Sequence, residues 1–122
     1  MNIAAKKVLF IMRQAPHGTA LAQEAFDVLL MASSFAHKIS ILFLGDGVFG
    51  LLQNQDTTLL GIKNFASAYK ALPLYDINNI YISEQDLHKY NIKPEDLFLT
   101  TQLLTDTEIK NLMHQQDIIF NF

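Results

Sequence analysis

The chain contains no cysteine among its 122 residues. That excludes disulfide bonds, thiolate metal sites, cysteine nucleophiles and the carriage of sulfur as a persulfide on this polypeptide. Charge is sparse as well: Asp, Glu, Lys and Arg make up 17% of the residues, against about 25% in an average soluble domain. The nine Lys and Arg residues are scattered, only Lys6 and Lys7 are adjacent, and the formal net charge is −3. The electrostatic footprint of direct nucleic-acid binding is therefore missing. No apolar run approaches the ~18 residues that a membrane-spanning helix needs. Lys6-Lys7 ahead of Val8–Met12 has the charge order of a signal peptide, but five apolar residues before Arg13 are too few for its hydrophobic region. A cytoplasmic protein without membrane contact is expected. His17, His37, His88 and His114 lie far apart, so no metal site is expected either.

What the chain has in quantity is apolar side chains, at 50% of residues. A length of 122 residues corresponds to one domain, taken as 1–122. Composition alone leaves two readings open: an unusually apolar sheet inside one domain, or a subunit whose faces are buried against other chains.

The segment Ile39–Leu44 is apolar almost throughout, as expected of a strand buried on both faces of a parallel sheet. Gly45-Asp46-Gly47 follows and can turn tightly at the carboxyl edge, where open α/β sheets usually keep their ligands. A short helical turn is expected at Val48–Leu52. Lys7–Met12 is a second buried run, separated from Ile39 by a loop containing Pro16 and Gly18 and by a helical pattern from Ala20 to Phe35. These form a βαβ unit with an expected right-handed crossover. Further helices are predicted at Leu59–Leu72, ended by Pro73, and at Glu84–Tyr90. Strands are predicted at Ile80–Ile82, Leu97–Thr100 and Ile118–Phe120. Thr105 and Glu108 have capping-box spacing and open the last helix. No repeat, linker or low-complexity segment interrupts the alternation. The fold class is therefore α/β: a three-layer α/β/α single domain on a five-stranded, mainly parallel sheet.

Candidate site residues gather at the expected carboxyl edge. Asp46 can stabilise its own turn or position a partner. His17 precedes a helix amino terminus, yet no nucleophile is near it in sequence, so structural or interface use stands beside general-base use. Ser83 ends a strand and can cap the helix at Glu84, or act as a nucleophile if a base meets it in space. Gly47 and Phe49 complete the edge. Phe49, Phe65, Tyr69 and Tyr75 suit a core, and the tyrosines also suit an interface.

Three segments, Ala15–Ala20, Asp46–Leu52 and Lys70–Ile77, together with the closing Asp117–Phe122, resemble the DsrE/DsrF/DsrH family along essentially the whole chain. The likeness is to the DsrF-like subunits of TusBCD-type sulfurtransferase complexes. It implies a five-stranded single α/β domain and a cytoplasmic persulfide relay leading to 2-thiouridine at the wobble position of transfer RNA. The implied partners are TusB-like and TusD-like subunits in a heterohexamer with two copies of each, served by TusA-like and TusE-like carriers. The relay cysteine belongs to the TusD-like subunit. The matching region here is Ile82-Ser83, where a hydroxyl cannot hold sulfane sulfur, so no catalytic residue carries over. The resemblance implies a non-catalytic scaffold with no cofactor, and a flavodoxin-like small-molecule or nucleotide binder is the alternative.

Overall fold

The computed structural model describes residues 6–13, 21–36, 38–52, 77, 79–97 and 99–122. The expected helix at Leu59–Leu72, the loop carrying His17, and His37, Phe65, Tyr69 and Tyr75 lie outside the described residues. Five strands form one sheet: β1 (Lys7–Met12), β2 (Lys38–Phe43), β3 (Asn79–Ser83), β4 (Gln102–Leu104) and β5 (Ile118–Asn121). Their order is β4-β3-β2-β1-β5, and every pairing is parallel. The described helices are α1 (Leu21–Ala32), α2 (Glu84–Lys89) and α3 (Asp106–His114), joined by 3-10 turns at Gly45–Leu51 and Pro94–Asp96.

The buried runs of β1 and β2 have the cause anticipated from their composition. Successive side chains point to opposite faces, so a strand covered on both sides must be apolar at odd and even positions alike. Val8, Phe10, Met12, Ile39, Ile41 and Phe43 pack with Leu29 and Ala32 of α1 on one face. Leu9, Ile11 and Leu42 lie on the other, against Ile109, Leu112 and Met113 of α3. Helix, sheet and helix thus make three layers.

β1 and β2 keep their register along their whole length, from Lys7 opposite Lys38 to Met12 opposite Phe43. β5 adds to the far side of β1. Asp117 fastens its start by accepting from the Lys7 amide (2.8 Å) and donating its own amide to the Lys7 carbonyl (2.9 Å). At its end the Phe122 amide donates to the Ile11 carbonyl and the Arg13 amide to the Phe122 carbonyl. Phe10 packs its ring 5.1 Å from that of Phe120.

Three elements differ from the sequence expectation by more than one residue, the first being the helical turn expected at Val48–Leu52, which is a 3-10 turn over Gly45–Leu51. The helix expected to reach Phe35 ends at Ala32, because the Ser33 and Ser34 hydroxyls donate to the Leu30 and Met31 carbonyls and the chain closes in a turn. The fourth strand, expected at Leu97–Thr100, is instead Gln102–Leu104, paired with Tyr81–Ser83. Leu97 is buried for another reason: it joins the α1-side core and makes an isolated antiparallel bridge to Leu52. Hydrophobicity at Leu97 and Leu99 reported packing under the 3-10 turns rather than membership of the sheet.

At the centre of β2, Ser40 is 0% exposed and its hydroxyl has no hydrogen-bond partner among the described residues. An unmatched buried hydroxyl costs about 1–3 kcal/mol. Ser40→Ala should therefore stabilise the protein by about 1 kcal/mol, seen as a higher urea midpoint with an unchanged slope.

Candidate functional site

The carboxyl edge is assembled where β2 and β3 end. After Phe43 the chain must turn across the end of β1, and Gly45 does so at φ +56°, a backbone conformation that favours glycine. Gly47 is held closer still: a Cβ there would sit against the Met12 carbonyl, 1.9 Å from its oxygen. The Leu44 amide donates to that same carbonyl, and the Gly47 amide to the Leu44 carbonyl. Fully buried Val48 and Leu51 anchor the 3-10 turn in the core, leaving Asp46 exposed and Phe49 half-buried.

Across from this turn, Ser83 closes β3 and caps α2. Its hydroxyl accepts from the Asp86 amide at 3.2 Å, and the residue is 3% exposed. The same Ser-x-x-acid spacing at Thr105 and Glu108 gives a complete capping box, with the Glu108 carboxylate returning to the Thr105 amide at 3.0 Å. Asp86 departs from that pattern. Its Oδ2 accepts from the Gly45 amide at 2.6 Å, so the carboxylate joins the start of α2 to the turn after β2.

A second link lies one turn further along α2. The Tyr90 hydroxyl donates to Asp46 Oδ1 at 2.8 Å, and its ring meets that of Phe49 at 4.7 Å between centroids. Lys89 places its ammonium 5.3 Å from the centre of the Tyr90 ring. The Tyr90 hydroxyl is held above the usual tyrosine value of 10.0, first by its hydrogen bond to Asp46 and then by desolvation and the Asp46 and Asp86 charges.

An open groove of about 430 Å³ adjoins this network, lined by Glu84, Gln85, His88, Thr105, Asp106 and Thr107. Glu84 lies 3.9 Å from His88. The carboxylates of Glu84 and Asp106 give the groove an acidic lining. Among the described residues no group of three or more His, Asp or Glu side chains is placed to hold a metal ion.

The structure thus brings Asp46, Gly47, Phe49 and Ser83 to one edge, while His17 lies outside the described residues. Gly47 and Ser83 are buried and shape the edge; Asp46 and Phe49 reach its surface. Asp86 and Tyr90 are the residues that sequence reasoning missed. The Ser83-x-x-Asp86 spacing signalled a cap, but nothing local could show that its carboxylate reaches a residue 41 positions away.

The sequence pattern of the DsrE/DsrF-like family matches residues 6–122. The chain belongs to the DsrE/DsrF-like family. It is 36% identical over 118 residues to Protein TusC of Buchnera aphidicola, covering 96% of this chain and 99% of that one. It is also 30% identical to the intracellular sulfur oxidation protein DsrF of Allochromatium vinosum, with 100% of both chains covered. A TusC homolog of Vibrio vulnificus is 31% identical over 95% of this chain and 98% of its own. Among solved structures, the YchN protein of E. coli superposes with a TM-score of 0.81 at 13% identity, covering 96% of this chain and 99% of its own. A protein of unknown function from Methanobacterium thermoautotrophicum reaches 0.69 at 9% identity, with the same coverage. These two likenesses show an α/β fold, as anticipated from the resemblance.

Two measurements probe the edge. Gly47→Ala should destabilise the protein by about 3 kcal/mol, because backbone must move to admit the methyl group; denaturant midpoints would register it. The folded Tyr90 value lies above the unfolded one, so its contribution is fully present below pH ~10 and is lost as pH rises through the raised value. Thermal melts should show wild type more stable than Tyr90→Phe below pH ~10, with the difference shrinking as pH rises through the raised value.

Proposed function

We propose that the chain is the thiol-free, non-catalytic subunit of a TusBCD-type sulfurtransferase complex. That complex would relay persulfide sulfur towards 2-thiouridine at the wobble position of transfer RNA in the cytoplasm. The observation that carries this reading is the combination of full-length similarity to TusC and DsrF proteins with the complete lack of cysteine. A hydroxyl cannot form a persulfide, so the chain's contribution must be to place its neighbours. In this reading the TusB-like and TusD-like subunits join it in a heterohexamer with two copies of each, and TusA-like and TusE-like carriers visit the complex.

The carboxyl edge supports a structural role. Ser83, at the position that the resemblance matches to the carrier thiol, is buried with its hydroxyl committed to capping α2. A nucleophile needs an approachable oxygen, so this placement also weakens a hydrolase reading through Ser83 and His17. The nucleotide-binding alternative loses support as well. A phosphate cradle requires free amides, and here the Gly45 amide is taken by a carboxylate while the space at Gly47 is filled by the Met12 carbonyl. Asp46, Phe49 and His17 are proposed as residues facing a partner, with Gly47 and Ser83 giving the edge its shape.

Incubation of the co-expressed complex with a persulfide donor carrying radioactive sulfur tests the proposal. Covalent label should appear on the TusD-like chain and none on this one; sulfur retained here after denaturing separation would overturn the reading. Expressed alone, the chain should self-associate or dissolve poorly, and co-expression with its relatives should yield a stable assembly.

A further inference from the structure

Three large apolar side chains are strongly exposed among the described residues: Met31 at 66%, Phe35 at 54% and Ile119 at 40%. Single exposed apolar residues are ordinary, but two of these three lie one helical turn apart. Met31 is in the last turn of α1 and Phe35 in the turn that closes it. The same side of the helix carries Glu24 and Asp27, both exposed. Glu24, Asp27 and Met31 have the spacing of one continuous helical stripe, which Phe35 extends. At ~1.5 Å per residue the carboxylate of Glu24 is placed roughly 10 Å along the axis from Met31.

At the apolar end of this stripe two backbone carbonyls are already paired within the chain. A helix carboxyl terminus exposes carbonyls that Lys or Arg commonly satisfies, yet α1 has no basic residue in its last turn. Instead the Ser33 and Ser34 hydroxyls donate inward to the Leu30 and Met31 carbonyls at 2.6 and 2.7 Å. Carbonyls already bonded within the chain can be covered by another surface at little desolvation cost.

We infer that the outer stripe of α1, from Glu24 to Phe35, docks a protein of different sequence whose surface pairs an apolar patch with Lys or Arg side chains about 10 Å away. Charge distribution selects this occupant over a second copy. Antiparallel copies in full overlap would press Met31 and Phe35 onto Glu24 and Asp27, and parallel copies would set carboxylate against carboxylate. An antiparallel pair shifted to avoid both would bury only the last turn of each helix. The inference rests on the proposed hetero-oligomer and adds which face enters it.

The test uses the full chain and the purified pair of TusB-like and TusD-like chains, with binding read by biolayer interferometry and stoichiometry by native mass spectrometry. Met31→Asp combined with Phe35→Asp should weaken association at least tenfold, with thermal melting unchanged. Met31→Gln combined with Phe35→Gln should weaken it in the same sense, and it serves in place of the aspartate pair if that variant folds poorly. Glu24→Lys should weaken association and blunt its salt dependence, since the attraction to a basic partner would be reversed. Wild-type affinity in both double variants would overturn the assignment of α1 while leaving the relay complex standing. Failure of the wild-type chain to bind the pair at all would overturn the complex and the α1 assignment together. Self-association of the wild-type chain that the double variants abolish would identify a second copy as the occupant, against the inference.

Discussion

The carboxylate of Asp86 joins two segments that the chain places far apart. It rises from the first turn of α2 and accepts the Gly45 amide, holding the loop after β2 to the helix after β3. Neighbouring strands in a parallel sheet are secured by their ladder, but the loops beyond their ends are not. Without a tie of this kind the carboxyl edge would be two independent turns. With it, the edge becomes one surface whose shape is determined by Gly47 against β1 below and by Tyr90 on Asp46 above. A carboxylate is well suited to this task because its hydrogen bond to an amide is charge-assisted and stronger than a neutral one.

The two caps in the molecule show how one local pattern serves two ends. Thr105 and Glu108 satisfy each other's amides and leave the amino end of α3 self-contained. Ser83 and Asp86 begin the same way, but only the serine half closes locally. Diverting the acid gives up one local bond for a long-range one, and so couples the start of α2 to the rest of the edge.

Much of the architecture was legible in the residues. Apart from the lysine that opens each strand and Ser40 within β2, β1 and β2 announced themselves through apolar side chains on both faces, as a doubly covered strand requires. The Thr105 cap, the glycine turn and the closing strand were equally local signals. β4 was not legible: its three residues include Gln102, and the more apolar Leu97 and Leu99 nearby made a better pattern for a strand that is not there. Of the carboxyl edge, the sequence revealed which residues would arrive but not what would hold them. The Tyr90–Asp46 bond spans 44 positions, and no periodicity records a contact of that range. The absent thiol, by contrast, needed no structure at all to exclude sulfur carriage.

Strand order has a consequence for biosynthesis. β1 lies between β2 and β5, so one flank of this early strand waits for residues near position 120. On a translating ribosome, β1 and β2 can pair as soon as they leave the exit tunnel. Phe10 and Ile11, however, stay open on one side until β5 emerges. An uncovered strand flank of that composition is what holding chaperones bind, so that flank is a surface for them for as long as β5 is still unmade.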